Sequence, residues 1–109
     1  RQPCGKWPTA LPKPLTAAER AWQEARLMLQ DPETRMVILD ELNVVLRYGY
    51  LDLAMVLDDL AHRPADQHVV LTGRNAPEAV IEAADMVTEM TLVKHPFRSG
   101  IKAQPGVEF

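Results

Sequence analysis

Two adjacent carboxylates, Asp40 and Glu41, follow directly on Met36-Val37-Ile38-Leu39, and this stretch is the best suited to chemistry in the chain. Four apolar residues, two of them β-branched, predict a strand buried on both faces. Acids at the carboxyl end of such a strand stand where open α/β sheets collect their ligands. In sheets that hold a metal-bound triphosphate, a strand of this kind delivers an aspartate to the cation, and the next acid polarises a ligand or water. The plainer alternative is that the two acids cap the helix that follows. A second candidate is Arg74, in Thr72-Gly73-Arg74-Asn75 after the next apolar run. It either reaches toward what the acids hold or pairs with a surface acid. The third is a cationic stretch, Lys94, His95, Arg98 and Lys102, with no acid between its ends. On an acidic chain this suits a small anionic ligand better than a long polyanion.

Several chemistries are excluded. The single cysteine, Cys4, has no partner for a disulfide or a cysteine metal site. His62, His68 and His95 do not read as a zinc centre, because no two of them have convincing partners. A net charge of −3 argues against general nucleic-acid binding. No apolar segment has the length of a membrane span or the form of a targeting signal, so a cytoplasmic protein without membrane contact is the expectation. At 109 residues, 47% hydrophobic and 25% charged, the chain is one ordinary globular domain or part of one.

The elements that must position these residues follow in order. Residues 1–15 hold Pro3, Pro8, Pro12 and Pro14 with Gly5, and form an irregular flank. Trp7 is its large apolar group, either folded back on the core or serving as a wall for a flat ligand. Thr16-Ala17-Ala18-Glu19 is a capping box that opens a helix to about Gln30, with Ala18, Ala21, Trp22, Ala25, Met28 and Leu29 inward. After the acids, Asn43 to Tyr50 begins as a short helix that Gly49 ends, with Tyr48 and Tyr50 packing inward and Asn43 and Arg47 supporting the acidic pair. Asp52 caps a helix to about His62, with Leu53, Val56, Leu57 and Leu60 inward and Asp58 and Asp59 solvated. Gln67 to Thr72 is the next strand. Asn75-Ala76-Pro77-Glu78 forms a second capping box, and Ala79, Val80, Ile81 and Ala84 face inward on its helix. Asp85 to Val93 alternates as a third strand, and residues 94–109 form a basic irregular tail. Residues 16–93 are then an α/β core with a parallel sheet, too thin to cover itself, so further strands come from an N-terminal portion or a second subunit.

Taken together, Val-Ile-Leu-Asp-Glu-Leu-Asn from Val37, Arg-Tyr-Gly-Tyr-Leu from Arg47, Val-Val-Leu-Thr-Gly-Arg from Val69 and the whole run from Val93 to Phe109 resemble corrinoid adenosyltransferases of the CobA/BtuR/CobO type. The likeness covers about Ala18 to Phe109, and the final run is its most specific part. The resemblance implies a parallel sheet of the P-loop NTPase (RecA-like) type in a three-layer α/β/α arrangement. It also implies transfer of the 5′-deoxyadenosyl group of ATP to Co(I) of cob(I)alamin or cob(I)yrinic acid a,c-diamide, in a homodimer. Asp40 and Glu41 would then serve Mg2+, while Arg74, Lys94, His95, Phe97 and Lys102 would lie near the nucleotide or corrinoid. Trp7 would match an aromatic residue of the family that helps displace the lower axial ligand of cobalt, although the Phe of that family stretch is absent before it. The family's G-x-x-x-x-G-K-[ST] phosphate loop is also absent from these 109 residues. The expectation is the C-terminal part of such an enzyme. Its alternatives are a noncatalytic corrinoid- or partner-binding module and a fragment of another P-loop ATPase.

Overall fold

The computed structural model describes residues 13–94. Its first element, helix α1 (Ala17–Gln30), starts where the capping box requires. The Glu19 amide donates to Thr16 Oγ1 at 3.1 Å, and the Thr16 amide donates to Glu19 Oε1 at 2.9 Å. The Thr16 backbone amide, and secondarily its hydroxyl, hold the Glu19 carboxyl below its ordinary pKa, because donors beside it favour the charged form. Trp22, Ala25 and Leu29 form the buried stripe of α1. Ala21 and Met28, expected inward, are exposed, because no described element covers that flank of the helix.

Strand β1 (Met36–Leu39) pairs in parallel with β2 (His68–Leu71), Met36 opposite His68 and Leu39 opposite Leu71. Val37 is buried in the core, but Met36 and Ile38 are 55% and 62% exposed, and Val70 on β2 is exposed as well. The strand is therefore covered on one face only among the described residues. This corrects the two-sided burial expected from its apolar run. A period of two separates the faces, and the helices that pack here reach only one of them.

Between the strands run α2 (Leu42–Arg47) and α3 (Leu53–Ala61). Gly49, at φ +73, stands just past the end of α2 in the left-handed conformation that closes many helices. Tyr48 and Tyr50 do not pack inward: they are 69% and 59% exposed and lie against each other, ring centroids 5.9 Å apart. Asp52 caps α3 as expected, accepting from the Ala54 amide at 3.2 Å. Val56 is wholly buried, while Leu53, Leu57 and Leu60 pack around the core from partly buried positions. Asp59 departs from its expected solvated role. Its Oδ2 accepts from Trp22 Nε1 at 2.7 Å and from Arg26 Nε at 2.9 Å, tying α3 to α1.

Helix α4 (Glu78–Ala83) starts later than the second capping box requires. Pro77 occupies the cap position and Asn75 sits at φ 53, so no side-chain cap forms. Val80 is buried, whereas Ile81 and Ala84 are exposed. The expected third strand is not formed. Met86, Val87, Met90, Leu92 and Val93 are exposed, and the sheet has two strands among the described residues. An alternating apolar sequence becomes a strand only when a neighbour supplies the ladder, and no described edge does so.

The turn between α1 and β1 is held from the far side of the chain. Gln67 is 2% exposed, and its Nε2 faces the carbonyls of Met28, Asp31 and Thr34 at 3.1, 3.4 and 2.9 Å. Two of those carbonyls, of Met28 and Asp31, also accept from the Asp31 and Thr34 amides at 3.2 and 3.1 Å. Gln67→Leu is expected to lower stability by about 1–2 kcal/mol, through the loss of the amide's hydrogen bonds to these carbonyls. Urea denaturation followed by circular dichroism measures it, and an unchanged midpoint would show the amide to be dispensable.

Candidate functional site

β1 ends by turning sharply at Asp40 and Glu41. Glu41 sits at φ 59, ψ 20, a left-handed conformation that residues with a Cβ seldom adopt. It occupies the cap position of α2, yet its side chain makes no capping hydrogen bond. The plain alternative, that these acids serve only as helix caps, therefore fails for Glu41. Strain at a residue whose carboxylate has no partner among the described residues is the pattern found where function holds the backbone in place.

The turn is clasped by the end of the neighbouring strand. Thr72 Oγ1 donates to Asp40 Oδ1 at 2.7 Å and accepts from the Glu41 amide at 2.9 Å. The Thr72 carbonyl accepts from the Asn43 amide at 3.3 Å, and the Thr72 amide donates to the Leu39 carbonyl at 3.3 Å. Asn43 is 6% exposed and donates from Nδ2 to the Gly73 carbonyl at 3.2 Å. Gly73, at φ +130, lies so close that a Cβ built on it would come within 2.9 Å of Asn43 Cβ. Only glycine allows the two loops to approach in this way. Arg47 donates from Nε and Nη2 to the Asn75 carbonyl at 3.1 and 2.7 Å, fixing the next step of the loop. Asn43 and Arg47, expected to support the acids, instead bond through their side chains to the Gly73–Asn75 loop.

Asp40 and Glu41 are both exposed. Asp40 borders an apolar concavity of about 230 Å³ between α1, β1 and α2, floored by Trp22, Ala25, Leu39 and Val45. That is below the roughly 300–1,000 Å³ of a small-molecule site. Arg74 lies in the exposed loop after Gly73 and has no hydrogen bond or ion pair among the described residues, so the surface pairing considered for it is not formed. Lys94 is exposed at the end of the described chain. No contact among the described residues joins Arg74 or Lys94 to the acids. Trp7, His95, Phe97 and Lys102 lie outside the described residues.

The turn offers two exposed carboxylates, which are oxygen donors only. No group of three or more His, Cys, Asp or Glu side chains able to hold a metal occurs among the described residues. This excludes a self-sufficient cage there and fits magnesium, which takes one or two protein carboxylates and draws its other ligands from phosphates and water.

Sequence reasoning found the acids and missed Thr72, although a hydroxyl residue at the end of the strand next to an acidic strand end was the available signal. It also missed the Trp22–Asp59 bond, because those residues lie far apart in sequence and nothing local pairs them.

Residues 5–109 match the family described as ATP:corrinoid adenosyltransferase BtuR/CobO/CobP. The chain belongs to that family. A corrinoid adenosyltransferase of Pseudomonas aeruginosa is 59% identical over 95 residues, which is 87% of this chain and 47% of the relative. One of Sinorhizobium is 59% identical over 93 residues, 84% of this chain and 44% of the relative. One of Escherichia coli K12 is 43% identical over 104 residues, 94% of this chain and 53% of the relative. The chain thus spans about half the length of the curated relatives it matches. No helix among the described residues is long and apolar enough to cross a membrane.

Proposed function

We propose that the protein carrying this segment transfers the 5′-deoxyadenosyl group of ATP to Co(I) of a corrinoid, either cob(I)alamin or cob(I)yrinic acid a,c-diamide. The observation that carries the proposal is the Asp40–Glu41 turn. It presents two acids, one of them strained and uncommitted, at the carboxyl edge of a parallel sheet in a chain of this family. In the reaction, Co(I) attacks the 5′ carbon of ATP. A cobalt–carbon bond forms, the bond from that carbon to the triphosphate oxygen breaks, and its electron pair leaves with triphosphate.

Within this scheme Asp40 and Glu41 hold the magnesium of the nucleotide, which supplies neutralisation of the charge gathering on the leaving triphosphate. Arg74 and Lys94 add cationic groups toward the nucleotide or the corrinoid, together with His95 and Lys102. Trp7 and Phe97 contribute apolar surface for the flat ring. The apolar wall beside Asp40 keeps water from one side of the reacting carbon, and holding the two substrates in line is the other large contribution to the rate. A sheet open on one face among the described residues supports a three-layer P-loop-type domain with further strands, and the proposed protein is a cytoplasmic homodimer without nucleic-acid partners.

Anaerobic incubation with a Co(I) corrinoid and Mg-ATP tests the proposal, with the absorbance spectrum reporting the cobalt–carbon bond. The full-length protein is expected to alkylate the corrinoid, and this 109-residue chain by itself is expected not to, since it contains no phosphate-loop string. ATP hydrolysis by the full-length protein without alkylation would favour another P-loop ATPase. Corrinoid binding without turnover would favour the noncatalytic module.

A further inference from the structure

We propose that Thr72 is a positioning residue for the acid pair, its hydroxyl fixing both Asp40 and Glu41 from the neighbouring strand. The inference rests on the reading of those acids as the magnesium site.

A threonine hydroxyl has one proton and two lone pairs, so its single hydrogen can serve only one acceptor at a time. Here the hydrogen goes to Asp40 Oδ1 at 2.7 Å, and a lone pair receives the Glu41 amide at 2.9 Å. These two bonds settle the rotation of the hydroxyl, and the β-branched side chain restricts χ1 as well. Each bond has a separate consequence. The first occupies one oxygen of Asp40 and leaves the other without a hydrogen bond among the described residues. The second holds the amide of the one residue in the turn that is in the left-handed conformation, and so helps keep Glu41 at φ 59. The backbone of Thr72 completes the clasp, with its carbonyl on the Asn43 amide and its amide on the Leu39 carbonyl. Every residue from Leu39 to Asn43 except Leu42 is therefore bonded to Thr72, while the Glu41 carboxylate and Asp40 Oδ2 remain without partners among the described residues. Fixing the Asp40 carboxylate and the Glu41 backbone while leaving oxygens free is what a weakly held, strongly hydrated cation needs, since disordered ligands would have to be ordered at the expense of binding.

The test uses the full-length protein with Mn2+ as the magnetic probe, titrated in the presence of ATP and read by electron paramagnetic resonance. Melting temperature and adenosyl-transfer kinetics are measured beside it. Thr72→Val removes the oxygen and keeps the branched shape, and is expected to weaken Mn2+ binding by about 10–100-fold with a matching loss of kcat. Thr72→Ser restores the hydroxyl and is expected to return Mn2+ affinity to within a few-fold of the parent. If the Val variant does not fold, Thr72→Ala removes the same oxygen and is read in the same way. Parental Mn2+ affinity in the Val or Ala variant would overturn the proposal, and so would a Ser variant as defective as Val. Glu41→Gln, measured in parallel, separates the two levels. If it abolishes Mn2+ binding while Thr72→Val does not, the role of Thr72 alone falls; if it changes nothing, the reading of the acids falls and that of Thr72 with it.

Discussion

Glu41→Gln in the full-length protein is expected to lower adenosyl transfer by about 10²–10³-fold, the scale on which removing one charge-stabilising group slows an enzyme, while leaving the fold intact. The two halves of this expectation have separate grounds. Glutamine keeps the size of the side chain and the backbone cost of φ 59, and the glutamate carboxylate has no hydrogen bond or ion pair among the described residues that its loss could break. The charge is therefore dispensable for folding. On the proposed reading the charge is needed to hold a divalent cation, since only one other carboxylate stands in the turn. Single-turnover kinetics at saturating Mg-ATP, together with a melting curve, measure both. Unchanged turnover would remove Glu41 from the site. Glu41→Gly sharpens the test, because glycine adopts the left-handed conformation without the Cβ penalty. That variant is expected to lose turnover while keeping or gaining stability, by up to about 1 kcal/mol. Opposite signs for function and stability at one position are the mark of strain maintained for a purpose.

The largest effect on folding is expected at Trp22. It is 3% exposed, lies in the cluster with Leu29, Val37 and Val56, and its indole N–H donates to Asp59. Trp22→Ala removes the largest side chain of that core and leaves a cavity, and is expected to lower stability by about 3–5 kcal/mol. Asp59 would keep Arg26 as its partner, so the carboxylate is not stranded and the loss is chiefly one of packing. Against the roughly 5–15 kcal/mol that holds a typical domain together, this change alone brings a small α/β chain close to unfolding at ambient temperature. Urea denaturation by circular dichroism gives the figure, and a loss under about 1 kcal/mol would mean that α1 is held elsewhere.

Much of the local architecture was legible residue by residue. Thr16 and Glu19 announced the start of α1, Asp52 that of α3, and Gly49 the end of α2, because caps depend on groups within one turn of each other. The apolar runs around Val37 and Val69 were legible as strands. The errors share one cause. Asn75 to Glu78 has the composition of a capping box, yet Asn75 takes a left-handed conformation in a loop whose carbonyl is held by Arg47. Residues 85–93 alternate like a strand and find no ladder. Tyr48 and Tyr50 have the bulk of core residues and lie outside it.

The amino-acid sequence by itself determined the order of the elements from α1 to α4, the caps of α1 and α3, the pair of acids at a strand end and membership in a family of corrinoid adenosyltransferases. These depend on residue types and on spacings shorter than a few turns. Only the tertiary structure decided that one face of β1 is open, that Asp59 answers Trp22 across the core, and that Thr72 grips Asp40 and Glu41 from the adjoining strand. Each of those facts is a meeting of groups some thirty residues or more apart, or the lack of one. The physical reason is that a hydrogen bond or a covered face requires two partners in space, and one stretch of sequence specifies only one of them.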